Sequence, residues 1–300
     1  MLLEILEEPR ALHETLDAIA SPCKKTASEL AGEELGLVYF TGSGASYHAA
    51  LASHYLVSSL STRPTNSIPA SEFSSWVRTP SAGGSILIAI SQSGESVDIV
   101  SAMEDARERG MRTVAVTNNR SSPLAKAADF TLLTQAGPES AVTATKTFVC
   151  CLTAVSLLDL ELIEATGSLA ASPEELISIR RQLTNSPSVV QETITMCKER
   201  ARVFAESYKE NSLFFLLGRG ANYATALEGA LKLTITGRAQ APDFSRGENQ
   251  TLHELLWTET VPKELIRRFE KAIKWYTTNR QWWHHLIDQK RRRGHLPMRS

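Results

Sequence analysis

The sequence predicts an α/β fold: a doubly wound, five-stranded parallel sheet flanked by helices, followed by a second, incomplete unit of the same kind. Three observations carry this. Short apolar runs of strand length alternate with longer segments of helical periodicity between Leu37 and Leu160. Two of these runs pass directly into turns rich in Gly and Ser, as a strand does when it feeds a helix. A Gly-x-Gly-Ala-x-Tyr pattern occurs twice, at Gly42–Tyr47 and at Gly218–Tyr223, and Ala226-Leu227 repeats Ala50-Leu51 beyond it.

Taken in order, Leu2, Ile5, Leu6, Leu12, Leu16 and Ile19 recur at helical intervals, so Met1 to Ala20 reads as one or two amphipathic helices interrupted at Pro9. Leu37 to Phe40 is a short buried strand, and an Ala-rich helix runs on to Leu60 after the glycine turn. A second strand is expected within Pro64 to Ala70, with a helix starting at Glu72 and Phe73. Ser85 to Ile90 is the third strand. Its helix stops at Gly110, Thr113 to Thr117 is the fourth strand, Leu124 to Ala128 a short helix, and Phe130 to Leu133 the fifth strand. Right-handed crossovers then place the loops that follow the strands along one edge, where doubly wound folds bind ligands. Ala141 to Leu160 reads as a long, mostly buried helix.

Beyond it, residues 161–187 read as a linker interrupted by Gly167 and Pro173, which leaves 1–160 as the first domain. Residues 188–250 form the partial second unit: a helix from Ser188 to Lys209, a strand from Leu213 to Leu217, and the second glycine turn. This unit cannot be complete. Only 82 residues follow Gly218 in a 300-residue chain, while Gly42 to Leu133 alone spans 91. Residues 251–300 form an atypical tail that holds Trp257, Trp275, Trp282 and Trp283 and no strand, turn, helix rhythm. We read it as sequence foreign to the second unit, as a shifted reading frame would produce.

A chain 42% hydrophobic can bury a sizeable core, and a net charge of −1 gives no reason to expect a nucleic-acid partner. The basic run Lys290 to Arg293 reads as a solvated tail. Cys23, Cys150, Cys151 and Cys197 show neither a disulfide framework nor zinc spacing, so no metal and a reducing, cytoplasmic compartment are expected. Acids stand at the N-terminus where a signal peptide needs bases, and Phe148 to Leu158 is too short to span a bilayer, so no membrane is implied.

The candidate site begins at Ser91-Gln92-Ser93-Gly94-Glu95-Ser96, between the third strand and its helix. Hydroxyls, an amide and a glycine at a helix start are suited to hold a phosphate on backbone N–H groups and the positive end of the helix dipole. One cap needs a single hydroxyl, and this loop has more. It lacks the lysine of a triphosphate loop and favours a bound phosphoester. The turn at Gly42 resembles a dinucleotide fingerprint, but Tyr47 stands where the third glycine belongs, and no NAD or other cofactor is expected.

Gly42 to Tyr47, Ser91 to Ser96 and Glu139 to Phe148, in that order and spacing, resemble the sugar isomerase (SIS) domain family. The match runs from Met1 to about Glu248 and is nearest to the isomerase half of glutamine:fructose-6-phosphate aminotransferase and to the SIS-type glucosamine-6-phosphate deaminases. The resemblance implies that Ser46, Ser91, Gln92, Ser93 and Ser96 bind the phosphate of a hexose 6-phosphate and that the backbone of Val142 meets the sugar. Ala45 replaces a threonine of the aminotransferases. Thr143, Thr145 and Lys146 read as capping and solvated residues.

It also implies chemistry that moves a proton between the first two sugar carbons. Glu228 and Lys232 match catalytic positions of the relatives and share one helix face, where a plain salt bridge explains them equally well. The aminotransferase's catalytic glutamate falls on Ile235 and its ring-opening histidine on Thr251; His253 nearby reads as incidental. Phosphosugar binding is therefore better supported than turnover. The expected function is an isomerase or deaminase acting on glucosamine 6-phosphate or fructose 6-phosphate, with a non-catalytic hexose-phosphate sensor as the alternative. The absence of an N-terminal glutaminase favours deaminase or isomerase chemistry over glutamine-dependent synthesis. A homodimer is expected to cover the faces that the incomplete unit leaves open.

Overall fold

The computed structural model describes residues 1–32, 36–77, 84–209, 214 and 216–240. Among these, five strands form one parallel sheet: β1 (Val38–Gly42), β2 (Thr65–Pro69), β3 (Ile86–Ile90), β4 (Arg112–Thr117) and β5 (Phe130–Leu133), in the order β2-β1-β3-β4-β5. The sheet changes winding direction between β1 and β3. Their register pairs Val38 with Ile86 and Thr41 with Ala89, so both strands end level and their loops leave the sheet side by side.

Strand alternation sorts the core into two layers. Val38, Phe40, Ile86, Ile88, Ile90, Val114 and Val116 point to one face, which α1 (Leu2–Ala31), α2 (Ala45–Leu60) and α6 (Lys146–Thr166) cover. Tyr39, Leu87, Ala89 and Ala115 point to the other, beneath α3 (Ala70–Trp76), α4 (Val97–Glu108) and α5 (Pro123–Ala127). Runs such as Ile86-Leu87-Ile88-Ala89-Ile90 are apolar throughout because both faces are covered. The helices α7 (Pro173–Thr184), α8 (Ser186–Tyr208) and α9 (Ala221–Gln240) follow.

Four sequence expectations need correction or a limit. Pro9 does not interrupt the first helix; α1 is one helix of 30 residues with Pro9 and Pro22 inside it. Two interior prolines cost about 3 kcal/mol each, whereas each fully buried leucine or isoleucine contributes about 1.5–3 kcal/mol. Leu12, Ile19, Cys23, Ala27 and Leu30 are all buried, which offsets that cost. The long helix starts at Lys146, not Ala141, because residues 139–145 form a loop. At the expected strand Leu213 to Leu217, residues 214, 216 and 217 are not strand, and no described strand lies alongside to pair with them. Residues 251–300, with Thr251 and His253, lie outside the described residues. Among the described residues, no helix is long and apolar enough to cross a membrane.

Asp159 on α6 is wholly buried and lines a small cavity with Val38, Phe40, Val57, Ile86 and Leu162. Burial pushes its carboxyl well above the ordinary value, and the Ser53 hydroxyl offsets only part of that. A carboxyl raised on folding contributes stability that is complete below its unfolded pKa, about 3.9, and is lost as pH rises toward the folded value. Urea denaturation between pH 5 and 8 is expected to show stability falling with pH in the wild type and a flatter profile in Asp159→Asn. Parallel profiles would count against this burial effect.

Candidate functional site

The site forms where β1 and β3 end. Gly42 closes β1 and is required there: a Cβ would lie 2.5 Å from the Ser46 carbonyl carbon and 2.7 Å from the Tyr47 nitrogen. Gly44 follows at φ +56°, a conformation that suits glycine, and is the N-cap of α2 without a side-chain cap hydrogen bond. Ser46 sits in the first turn of that helix. The second glycine turn has the same geometry, with a Cβ on Gly218 meeting the Asn222 carbonyl oxygen at 2.0 Å and Gly220 at φ +61°.

The loop after β3 is anchored from behind. The Gln92 carbonyl accepts from the Asn118 backbone N–H at 3.0 Å and from the Thr117 hydroxyl at 3.1 Å, and Ser91 N–H donates to the Val116 carbonyl at 3.0 Å. Ser91 is buried, and its Oγ accepts from Gly94 N–H at 3.1 Å; Ser93 Oγ accepts from Glu95 N–H at 3.3 Å. Both hydroxyls thus keep their protons for another acceptor. Ser96 is the N-cap of α4 but makes no cap hydrogen bond with its side chain. At two neighbouring strand ends, two helices therefore begin with no side-chain cap on their N–H groups.

A third loop, 139–145, approaches from the N-terminus of α6, and α1 fastens it. Glu4 Oε1 accepts from Ser140 N–H at 2.5 Å and Ala141 N–H at 3.1 Å. Glu139 accepts from Thr145 N–H and Thr145 Oγ1, both at 2.7 Å, and from the Thr147 hydroxyl, so an anion stands at a helix start where the dipole favours it. Thr145 and Thr147 are buried in these contacts. Lys146 is also buried, at 3% exposure, and pairs with Glu7 at 2.5 Å. This corrects the reading of Lys146 as solvated. Val142 is exposed in this loop, 86% accessible, as is Ser140.

Glu228 and Lys232 reach this region from α9, which packs along α2. Glu228 Oε2 lies 2.6 Å from His48 Nδ1 on α2, and Glu228 Oε1 is bonded by Lys232 Nζ. Burial pushes the Glu228 carboxyl upward, yet the bonds from His48 and Lys232 outweigh it and hold it below the ordinary value. An ionised carboxylate only accepts, so His48 carries its proton on Nδ1. Lys232 Nζ also lies 5.1 Å from the centre of the Phe148 ring. Ile235, one turn further along α9, is half-buried.

Sequence reasoning missed four side chains. His48 breaks the register of the repeat, standing where the second copy has Ala224, and that departure is a usable signal. Glu4 and Glu7 look like any exposed helix face until α1 packs against the loop. Glu8 carries no signal at all, yet its carboxyl is pushed up to about 7 by burial and by Glu139, with Lys232 opposing. It can hold or release a proton near neutrality. Among the described residues, no cluster of three or more His, Cys, Asp or Glu side chains could hold a metal ion.

Residues 36–160 match the SIS domain family model. The isomerizing glutamine–fructose-6-phosphate aminotransferase of Thermococcus kodakarensis is 36% identical over 279 residues, which are 93% of this chain and 46% of that protein. The chain thus spans less than half the length of the aminotransferases it matches. In solved structures, the C-terminal domain of glucosamine-fructose-6-phosphate aminotransferase from Francisella tularensis superimposes with a TM-score of 0.71 at 27% identity, covering 78% of this chain and 66% of that one. A Silicibacter pomeroyi protein, provisionally assigned as a phosphosugar isomerase, has a TM-score of 0.66 at 30% identity and covers 78% of this chain and 68% of its own.

Close approach at Gly94 gives a test of the loop's packing. Gly94 has φ +65°, and a Cβ there would lie 2.3 Å from Ser122 Oγ and 2.6 Å from Ser122 Cβ. Gly110 has φ +76° with open space around it. Gly94→Ala is expected to lose about 2–5 kcal/mol from strain and overpacking together, and Gly110→Ala only about 1–2 kcal/mol. Chemical denaturation measures both, and equal losses would contradict the tight seat of the loop.

Proposed function

We propose that the chain, which belongs to the SIS domain family, binds a hexose 6-phosphate and presents its first two carbons to acid-base groups on α1 and α9. In this reading the phosphate is held by Ser46, Ser91, Gln92, Ser93 and Ser96. The observation that carries it is the pair of helix starts without side-chain caps, on α2 and α4, at the ends of adjacent parallel strands. Uncapped N–H groups and the aligned dipoles of two helices favour an anion, and the serine hydroxyls add donors without fixing a cation there. A phosphate held this way exchanges readily, as a metabolite's must.

The backbone of Val142 lies over the sugar in this proposal, since the loop that bears it is fastened while its side chain stays exposed. Glu228 and Lys232 then act on the open-chain sugar. Transfer of a proton between C1 and C2 needs a group that takes the proton from one carbon and returns it to the other, with the enediol or enolamine oxygen or nitrogen stabilised by a nearby cation. The Lys232 ammonium supplies the cation, and a carboxyl near neutrality, as Glu8 has, is matched to proton transfer. Fructose 6-phosphate and glucosamine 6-phosphate are the substrates we favour, with isomerisation or deamination as the reaction.

Ile235 favours a second reading. A hydrocarbon side chain at the position where the aminotransferases carry a catalytic glutamate suits a phosphosugar sensor that binds without turnover.

Calorimetry with glucosamine 6-phosphate and fructose 6-phosphate, followed by assay of ammonia and of sugar interconversion, tests both readings. Binding is expected for the phosphates and at least tenfold weaker binding for free glucosamine. Ser93→Ala and Ser96→Ala are each expected to weaken binding by about tenfold or more, the effect of losing one hydrogen bond to a charged group. Product above that of a Lys232→Ala control supports the enzyme, and binding without product supports the sensor. Equal affinity for phosphorylated and free sugar would overturn the proposal.

A further inference from the structure

We infer that His48 is a positioning residue that ties the Glu228–Lys232 pair to the helix whose first turn carries Ser46. The inference rests on the reading above, in which that pair faces the sugar. On a helix surface, an i, i+4 glutamate and lysine swing freely and gain little from each other. Here the Glu228 side chain is 5% exposed, and its two oxygens are divided between partners, Oε2 to His48 Nδ1 at 2.6 Å and Oε1 to Lys232 Nζ. His48 comes from α2 and Lys232 from α9, so the carboxylate is fixed by two different helices. Its orientation then determines where Lys232 points, between Glu228 and the Phe148 ring.

His48 lies two residues beyond Ser46 on α2. The group proposed to hold the phosphate and the group that orients the acid-base pair are therefore on one rigid turn. Removing the imidazole would leave Glu228 Oε2 buried without its donor, and the carboxylate would turn toward Lys232 or toward solvent. Either movement displaces the ammonium while leaving the serine loop in place. The expected signature is a loss in kcat at nearly constant KM, which a general loss of folding would not produce.

Two substitutions separate the roles. His48→Phe keeps a ring but removes the donor, and His48→Asn places an amide N–H near the Nδ1 position. His48→Phe is expected to lower kcat for the preferred hexose 6-phosphate by about 10- to 100-fold, with KM changed by less than about threefold, in a protein that still unfolds in one cooperative transition at a somewhat lower melting temperature. His48→Asn is expected to stay within about threefold of the wild type. Unchanged kcat in His48→Phe, a proportional rise in KM, or failure of His48→Asn to rescue would overturn the inference.

Proton NMR gives a readout that needs no turnover. An imidazole N–H bonded to a carboxylate resonates far downfield, and this signal is expected in the wild type and absent in Glu228→Gln and His48→Phe. Its absence from the wild type would overturn the inference. If no hexose phosphate binds but the signal is present, the functional reading fails while the His48–Glu228 link stands.

Discussion

The parallel pairing of β1 with β3 is the constraint on which the rest of the structure depends. Hydrogen bonds across it set Thr41 opposite Ala89, and right-handed crossovers send α2 to one face and α4 to the other. Two helices consequently start at one point on the sheet edge, each with a positive dipole end. Neither start spends a side chain on capping. Backbone carbonyls take part of the first turn of α2, with Ser46 N–H donating to Ser43 at 3.1 Å and Tyr47 N–H to Gly44 at 3.0 Å, and the dipole ends remain to attract an anion. A phosphate fits there for reasons that precede any choice of sugar.

Around this centre, charge fastens the remaining parts. The carboxylates of α1 hold the 139–145 loop through Ser140 and Ala141 and seat Lys146 on Glu7, while Glu139 covers the start of α6. Glu228 joins α9 to α2 through His48. Buried ion pairs add little net stability against apolar residues of the same size, but breaking one of them is costly. Their contribution is to fix orientation. Loops and helices from four separate parts of the chain are held to one geometry, which proton transfer requires.

Much of the sheet was legible because β1 and β3 announce themselves twice, by a run buried on both faces and by the turn that follows it, whereas β2, Thr-Asn-Ser-Ile-Pro with only Ile68 buried, carries no such run. Phe130 to Leu133 has the same bounds in sequence and structure, and the glycines at 42 and 44 are needed for close approach and positive φ. The long α1 was not legible, since a local penalty at Pro9 was outweighed by packing that only the tertiary fold reveals. Lys146 and Glu7 each look solvated in isolation, and the pairing that accompanies the burial of Lys146 spans 139 positions of sequence. Glu8 and His48 were missed for the same reason: the surroundings that give them a role come from other helices. In the β3 loop, sequence could not tell which serines serve the loop itself, as the Ser91 and Ser93 oxygens do.

The central claim is that one anion site joins the starts of α2 and α4. Titration of the 15N-labelled protein with fructose 6-phosphate and glucosamine 6-phosphate, followed by amide chemical shifts, tests it most directly. Saturable shifts are expected, concentrated at the amides of residues 44–47 and 93–97 and reproduced at higher concentration by inorganic phosphate. Shifts centred elsewhere, for example along the cleft between Tyr39 and Trp76, or no shifts with either sugar, would contradict it.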